Sequence, residues 1–462
     1  MCSEESTRAE CAYAACGRPG DESAPPSFQV QFSQLYFTRL MQLRPHIARA
    51  ARAQCCDSHV APDGDGTSGG SAASPGAPST HFAQRILEAR RDAVSNVLIG
   101  VAFRSMIGKP SILAEYAAQE QNGTSLVPRP PQHSAHKYEQ SASDTVILED
   151  ETSRVTLDLS HFSGPTVVSG LVIGVRGSES LISKGTFVVQ DVIFPGLAPQ
   201  PPLSSTGDVK GFRKTVCLVS GLNFEHKTSS TSQTLALNML HELLMGNVGM
   251  HTSSAQIARL IVLGNSTAAR SEQDKDAEYV RAVQRLDSFL SGVCASLPVH
   301  LLPGPSDPTS LLMPQLPFHQ SLLKQSAMTG RLHREMNPSF FQLDGATFLC
   351  TGGQSVVDFL KYCPDEGASA ACAMDQMLQC RHVAPTGPDT VPVQPLSAKD
   401  PFVLDETPRV FVAGNQAEFS TCLVQQDDIT CRCIGIPAFS EKPSAVLLDL
   451  DSLEVNQIDL SV

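Results

Sequence analysis

The sequence predicts a mixed α/β protein with two domains, a small closed β-barrel followed by a larger α/β sandwich of two sheets. Two observations predict this. About five β-branched, apolar runs with glycines at the bends fill roughly 110 residues of the first half. Beyond the proline-rich stretch Pro199–Pro202, strand-like and helix-like apolar runs alternate, which is the pattern of a layered α/β domain.

Composition divides the N-terminal region into three segments. Residues 1–27 are small and polar and are expected to be disordered. Residues 28–56 carry apolar side chains at three- and four-residue spacing, which predicts a helical segment. Residues 57–80 are rich in Gly, Ser, Ala and Pro and almost lack large apolar side chains, which predicts a flexible insert.

Residues 81–200 are expected to form the barrel domain. The predicted strands are Val94–Met106, Asp144–Glu149, Arg154–Leu159, Val167–Val175 and Gly185–Phe194. A short helix is predicted at Ser111–Ala118. The OB-fold is a closed barrel of this size, and a two-sheet β-sandwich is the alternative that the pattern leaves open.

Residues 201–462 are expected to form the α/β sandwich, since the proline-rich stretch precedes the change of pattern. The predicted strands are Val216–Leu222, Leu260–Leu263, Val299–Leu302, Phe340–Cys350, Arg409–Val412, Cys431–Ile436 and Ala445–Leu450. The predicted helices are Ser232–Met245, Glu278–Ala295 and Ala371–Cys380.

Charge and cysteine content narrow the function classes. The formal net charge of −13 disfavours a protein that binds a nucleic acid backbone by itself, because that affinity comes from neutralised phosphates. The 14 cysteines include no CxxC pair, so a structural zinc site is not expected and the thiols are predicted to be reduced. No signal peptide and no apolar run of about 20 residues is visible, which predicts a cytosolic or nuclear protein without a membrane partner.

The residues that follow the apolar strands are the candidate site residues, because sites in α/β layers lie at the carboxyl ends of strands. They are Ser220-Gly221-Leu222, Gly264-Asn265-Ser266, Pro303–Asp307 and, much later, Arg381–Ala384. This layout resembles the calcineurin-like metallo-phosphoesterases, whose strand ends carry Asp-x-His, Gly-Asp, Gly-Asn-His-Asp and Gly-His-x-His motifs. Two metal ions about 3.5–4 Å apart need such a dense set of carboxylate, imidazole and amide ligands.

Most of the ligands that the resemblance calls for are missing. The replacements are Ser220 and Leu222 in the first motif, Asn265 in the second, Pro305 and Ser306 in the third and Ala384 in the fourth. No catalytic, metal-binding or cofactor-binding residue is therefore predicted. A metal-dependent phosphodiesterase or nuclease is kept as an alternative that rests on the fold analogy alone.

Three remaining candidates are assigned structural roles. Asp307 lies in a Ser-Asp-Pro sequence and is interpreted as a turn residue. His382 is interpreted as a buried, hydrogen-bonded histidine, and Gly352-Gly353 as a turn rather than a phosphate-binding loop. The sequence contains no GxSxG, P-loop, HExxH or dinucleotide-binding glycine motif.

An ordered series of local sequences runs along the chain: Leu35–Ile47, Gly108–Tyr116, Val146–Leu157, Leu218–Leu222, Gly264–Ser266, Val299–His319, Asn337–Phe359, Arg381–Thr390, Asp400–Phe402 and Val410–Asn415. This series resembles the B-subunits of replicative DNA polymerases, and within that family the delta members. Each stretch alone is weak, but their order over nearly the whole chain from Leu35 onward is specific. The insert at residues 57–80 departs from the family pattern.

The resemblance implies a nuclear, non-catalytic scaffold subunit of the polymerase delta complex in DNA replication and repair, with an OB-fold barrel and an inactive phosphoesterase-like domain. It implies docking of the catalytic subunit through a cysteine-rich C-terminal module and of a third subunit. It also implies that a sliding clamp is an indirect partner and that this chain contacts DNA only as part of the complex. A B-subunit of another replicative polymerase is an alternative.

Two further interpretations depend on surface residues. A single-strand binder needs exposed aromatic side chains beside a basic groove, and the barrel offers few candidates, namely Phe162, Phe187 and Phe194. The loop Pro314–Phe318 is either part of a partner interface or packed internally, and internal packing is favoured.

Overall fold

The computed structural model describes residues 8–16, 31–57, 80–91, 93–106, 109, 137–138, 141, 143–203, 214–225, 231–247, 255–270, 276–364, 367–395 and 399–461. Most of the predicted insert at residues 57–80 and the predicted helix Ser111–Ala118 lie outside these residues. In the described part of the chain, no helix combines the length and the apolar character that crossing a membrane requires.

The first half of the chain forms a closed barrel with one long helix beside it. The elements are α1 (Ser33–Asp57), β2 (His81–Phe82), β3 (Asn96–Ser105), β4 (Thr145–Glu149), β5 (Arg154–Asp158), β6 (Val172–Glu179) and β7 (Thr186–Ile193), and the preceding strand β1 (Tyr13–Ala15) joins a sheet of the second half. The strand order is β2-β3-β4-β5-β7-β6, and antiparallel pairing of β3 with β6 closes the barrel. Closure confirms the predicted barrel and makes the β-sandwich alternative wrong.

One predicted barrel strand is displaced along the chain. The apolar run Val167–Val175 predicted a strand, but β6 begins only at Val172. Val168 and Leu171 are nevertheless buried in the core. Their apolar character therefore reflects a buried connection rather than strand pairing.

Helix α1 packs against the barrel wall formed by β3 and β6. Its buried residues Leu40, Leu43 and Ile47 recur at three- and four-residue spacing and pack with Val97 of β3 and Val172 of β6. The helical segment predicted before the barrel thus packs on the barrel wall, through an apolar cluster distinct from the barrel interior.

The second half forms the two-sheet sandwich. Its elements are β8 (Thr215–Val219), α2 (Thr231–Met245), β9 (Ile257–Leu263), α3 (Asp276–Cys294), β10 (Val299–Leu302), α4 (Lys324–Ala327), β11 (Leu332–Arg334), β12 (Ser339–Leu343), β13 (Ala346–Thr351), α5 (Gln354–Leu360), α6 (Ala370–Gln379), β14 (Val410–Gln416), β15 (Ser420–Gln426), β16 (Ile429–Pro437), β17 (Ser444–Asp449) and β18 (Val455–Asp459). The first sheet has the order β11-β10-β9-β8-β17-β18, and the second has the order β1-β12-β13-β14-β16-β15.

Three apolar layers hold this half together. Alternate residues of β8, such as Val216 and Leu218, face Phe348 and Val412 of the second sheet. The opposite face of the first sheet packs under α2 and α3. The outer face of the second sheet, α5, α6 and the barrel interior form a single apolar cluster, so the two domains share one core.

The predicted strand Phe340–Cys350 is two strands. Antiparallel β12 and β13 are joined by the turn at Asp344 and Gly345, whose φ angles are 46° and 81°. A tight hairpin turn of this kind needs positive φ at both central residues, which the pair Asp-Gly tolerates. The Asp-Gly dipeptide inside the apolar run was the signal for the break.

The prediction of disorder for residues 1–27 is wrong for residues 8–16. Strand β1 pairs antiparallel with the edge strand β12, and Cys11 is buried in the core between the sheets. The Arg8 guanidinium donates to the main-chain oxygens of Leu244 (2.6 Å) and Ile257 (3.3 Å). Main-chain pairing and a few specific contacts order this stretch, and neither depends on apolar composition.

Tyr13 is the largest anchor of the N-terminal strand. Its ring centroid lies 5.0 Å from that of His300 and 4.6 Å from that of His333. Its hydroxyl donates to Glu335 Oε1 at 3.2 Å. These contacts join β1 to residues within β10 and β11 and to Glu335 just after β11.

We predict that Tyr13→Ala frees the N-terminal strand. Loss of the ring contacts and of the bond to Glu335 should cost about 2 kcal/mol. Hydrogen exchange at the β1–β12 amides should accelerate roughly thirtyfold. Ala14→Ser, at an exposed position of the same strand, is the control and should leave exchange unchanged. Equal exchange in both variants would contradict the anchoring role.

Candidate functional site at the strand ends

Neutral polar side chains meet where the central strands of the first sheet end. Ser220 follows β8, Asn265 follows β9, and Ser306 lies in the loop after β10. Ser306 donates its main-chain N–H to Asn265 Oδ1 (3.2 Å) and its hydroxyl to Thr267 O (2.6 Å). The structure therefore brings the candidates from β9 and β10 into direct contact.

Asn415, near the end of β14, connects the second sheet to the same cluster. Its main-chain N–H donates to Ser220 Oγ at 3.0 Å. Its side-chain amide donates to Leu263 O and to Gly352 O, each at 2.9 Å. Sequence reasoning did not assign Asn415 a place in the site. The signal was a repeated Gly-Asn dipeptide, because Asn265 and Asn415 both follow glycine at a strand end, with φ angles of 52° and 54°.

Asp307 is the one carboxylate of the cluster, and it points into its own loop. It accepts hydrogen bonds from the main-chain N–H groups of Thr267 and Gly304, each at 2.8 Å, and from the Thr267 hydroxyl at 3.1 Å. Burial raises the pKa of Asp307 to about 6, although these N–H groups favour the charged form. The carboxylate thus ties the loop after β10 to the end of β9.

The Gly352-Gly353 pair joins β13 to α5, and its N–H groups are used internally. Gly352 N donates to Asn337 Oδ1 at 3.0 Å, and Gly353 N donates to Thr351 Oγ1 at 3.3 Å. Gly353 has a φ of 95°, and a Cβ there would lie 1.8 Å from Gly414 O. Donors committed in this way are not available to cradle a phosphate.

His382 lies away from the strand ends. It follows α6, and its Nε2 lies 3.0 Å from Asp400 Oδ2 while its Nδ1 accepts the main-chain N–H of Ala384 at 3.1 Å. Nδ1 is therefore the acceptor, and Nε2 carries the proton that Asp400 accepts. Burial, reinforced by the charge of Arg39, lowers the pKa of His382 to about 4.

The residues at the strand ends do not fit a two-metal centre. Among the described residues, no group of three or more His, Cys, Asp or Glu side chains could hold a metal ion. Asp307 has its carboxylate engaged by three donors, and His382 is bound elsewhere. Close backbone contacts also fill the space, since a Cβ on Gly304 would lie 2.4 Å from Asn265 N.

A buried ion pair between the domains is the strongest polar feature near this region. Arg39 of α1 is fully buried, and its Nε donates to Asp400 Oδ2 at 2.7 Å. Its remaining N–H groups reach the main-chain oxygens of Gly170 (2.9 Å), Pro385 (2.8 Å) and Gly387 (2.8 Å). Burial opposes ionisation of Asp400, but Arg39 and His382 outweigh it and hold the pKa of this carboxyl well below its usual range.

Each of the two domains matches a known protein family. The family described as “DNA polymerase delta subunit OB-fold domain” matches residues 31–192. The family of DNA polymerase alpha/epsilon B-subunits matches residues 216–421. A barrel and a sandwich of these two kinds in one chain define the class of polymerase B-subunits.

Individual relatives show which polymerase B-subunits this chain resembles. “DNA polymerase delta subunit 2” of Drosophila melanogaster is 34% identical over 79% of this chain and 83% of that protein. “DNA polymerase delta small subunit” of Oryza sativa subsp. japonica is 32% identical over 79% of this chain and 83% of that protein. The protein of the same name from Saccharomyces cerevisiae is 29% identical over 79% of each chain. The chain belongs to the family of DNA polymerase delta small subunits.

A solved structure titled “Structural and Functional Characterization of a Novel Archaeal Phosphodiesterase” is a weaker match. It aligns with a TM-score of 0.28 and 11% identity, covering 53% of this chain and 99% of that chain. This likeness is too low to bear on the chemistry of the strand ends.

We predict that Arg39→Met destabilises the protein far more than Arg44→Met. Arg39→Met leaves the buried Asp400 carboxylate without its positively charged partner, which should cost about 3–5 kcal/mol. Arg44, on the same helix, pairs with Glu151, and these side chains are 22% and 26% exposed. Its replacement should cost at most about 1 kcal/mol. Chemical denaturation of the two variants measures the difference, and similar losses would contradict the role of the buried pair.

The low pKa of His382 predicts a pH dependence of stability. The histidine takes up its proton near pH 6.5 when unfolded but only near pH 4 when folded. Between these values the unfolded state binds more protons, so stability falls as the pH is lowered from 6.5 to 4. His382→Gln removes this contribution while keeping an N–H donor for Asp400. Its melting temperature should therefore depend less steeply on pH, and a wild-type slope would refute the assignment.

Proposed function

We propose that this chain is a non-catalytic accessory subunit of the DNA polymerase delta complex that bridges the catalytic subunit and a third subunit. The strand ends of the first sheet carry the argument. Neutral side chains occupy positions where a phosphoesterase needs carboxylates and imidazoles, and Ser220, Asn265 and Ser306 are bonded to neighbouring protein groups. Family membership supplies the polymerase context.

The way the two domains are joined supports a scaffold role. The barrel and the second sheet share one apolar core, and the Arg39–Asp400 pair ties α1 and the barrel to loops of the sandwich. A scaffold gains from this rigidity, because partners that dock on a preformed body lose less conformational entropy on binding. We propose that the catalytic subunit docks through its cysteine-rich C-terminal module.

The proposal extends to location and indirect partners. A subunit of this complex would act in the nucleus, in DNA replication and repair. The net charge of −13 favours contact with DNA only within the complex. A sliding clamp would associate with this chain only through the other subunits. The barrel aromatics give little support for a single-strand binder. Phe187 is 1% exposed, and Phe162 and Phe194 are partly buried against the core, so none of the three presents a fully exposed ring on which a base could stack.

The alternative of a B-subunit from another replicative polymerase has less support. Relatives that carry the delta name align with about four fifths of this chain. The phosphodiesterase alternative would need metal ligands that the described strand ends do not assemble.

We predict that co-expression with the polymerase delta catalytic subunit and the third subunit yields an equimolar three-subunit complex. Without this chain, the other two should no longer co-purify, because the bridge is missing. Size-exclusion chromatography with multi-angle light scattering, together with quantified gel bands, measures the stoichiometry. Direct association of the other two in the absence of this chain would refute bridging.

A further inference from the structure

We infer that the groove between α1 and β3 is a docking site for an amphipathic segment of a partner polypeptide that carries large apolar side chains and a Lys or Arg. This inference rests on the proposed scaffold function and names a surface for it. The groove has a volume of about 400 Å³ and is lined by Tyr36, Phe37 and Leu40 of α1, Val101 and Phe103 of β3, and Glu149. We call it the α1 groove.

Apolar side chains are exposed along the α1 groove and beside it. Phe37 and Met41, one helical turn apart on α1, are 51% and 50% exposed, and Phe103 of β3 is 43% exposed. Isolated exposed apolar residues need no explanation, but a contiguous set rimmed by polar groups marks an interaction surface. Phe and Met are also enriched where proteins bind one another.

The charged residues that line the α1 groove are all acidic. They are Glu149, Asp150, Glu151 and Asp389. Arg44 neutralises Glu151, and Lys109 pairs with Asp389. Asp150 accepts main-chain N–H groups, including that of Ile86 at 2.6 Å. In the described part of the chain the Glu149 carboxylate has neither an ion-pair nor a hydrogen-bond partner, so a basic side chain of the occupant fits beside it.

Both domains contribute to the wall of the α1 groove. Its wall includes Gly170 of the barrel domain and Asp389 of the sandwich domain. Gly170 O also accepts a hydrogen bond from Arg39, the residue that pairs with Asp400. The residue that forms the buried ion pair therefore holds one wall residue of the groove in place.

The size of the groove selects the kind of occupant. A volume of about 400 Å³ accommodates a few side chains and not a folded module. A helix or extended segment that inserts apolar anchors fits this description, with its basic residue at the Glu149 end. The occupant is thus a short segment of a partner subunit, which adds to whatever larger contacts that subunit makes.

The test is subunit retention in the co-expressed three-subunit complex. The double variant Phe37→Glu/Phe103→Glu should lower retention of one partner subunit at least tenfold. Glu149→Lys, which leaves the apolar wall intact, should lower retention of the same subunit, most clearly at low salt. The matched control is Leu181→Glu/Ile182→Glu, which makes the same change at a barrel turn where both side chains are almost fully exposed. It should retain both partners.

The possible results separate the inference from the proposed function. If wild-type protein fails to bridge, the scaffold function itself is refuted. If wild-type protein bridges and the groove variants retain both partners at wild-type levels, the inference alone is overturned. It is also overturned if the groove variants only lower the melting temperature of the isolated chain, which would place one of its own segments in the groove. Conversion of a wild-type dimer to a monomer with both partners retained would overturn it as well.

Discussion

The structure depends on the buried ion pair between Arg39 and Asp400. Removing both charges from water is costly, and the cost is offset only when the remaining donors and acceptors are satisfied. Arg39 meets this condition through the oxygens of Gly170, Pro385 and Gly387. Because these oxygens belong to different parts of the fold, the pair is satisfied in a single arrangement of helix, barrel and sandwich. Apolar contacts between the domains are less directional than this ion pair. The ion pair therefore selects one arrangement of the domains among those that apolar packing alone would allow.

The strand ends show how hydrogen-bonded neutral side chains can fill the edge of a layered α/β domain. Ser220, Asn265 and Asn415 exchange hydrogen bonds with neighbouring strands and loops, where charged ligands would repel one another without a cation. His382 has a different task, since it donates to Asp400 and thereby supports the domain junction. These polar residues therefore stabilise the body of the protein.

The spacing of apolar residues predicted the barrel, the sandwich and the polar strand ends, because burial of one face of a strand or helix places apolar residues at regular intervals in the sequence. It did not predict β1, since Tyr13 and Arg8 act through contacts with residues far along the chain. It also missed the partnership of Arg39, His382 and Asp400, because Arg39 lies far from the other two in the sequence and no motif connects them. The His382 interpretation as a hydrogen-bonded residue agrees with its geometry, but its partner could be identified only from the folded chain.

Metal content and phosphodiesterase activity, measured on one purified sample, decide whether the strand ends hold a working metal centre. We expect that protein supplied with manganese retains no stoichiometric metal and does not cleave a generic aryl phosphodiester, either alone or in the three-subunit complex. Bound metal at one or two equivalents, with turnover that Asp307→Asn abolishes while the variant remains folded, would contradict it. That result would mean that the strand ends assemble a working centre and that the chain is an enzyme as well as a scaffold.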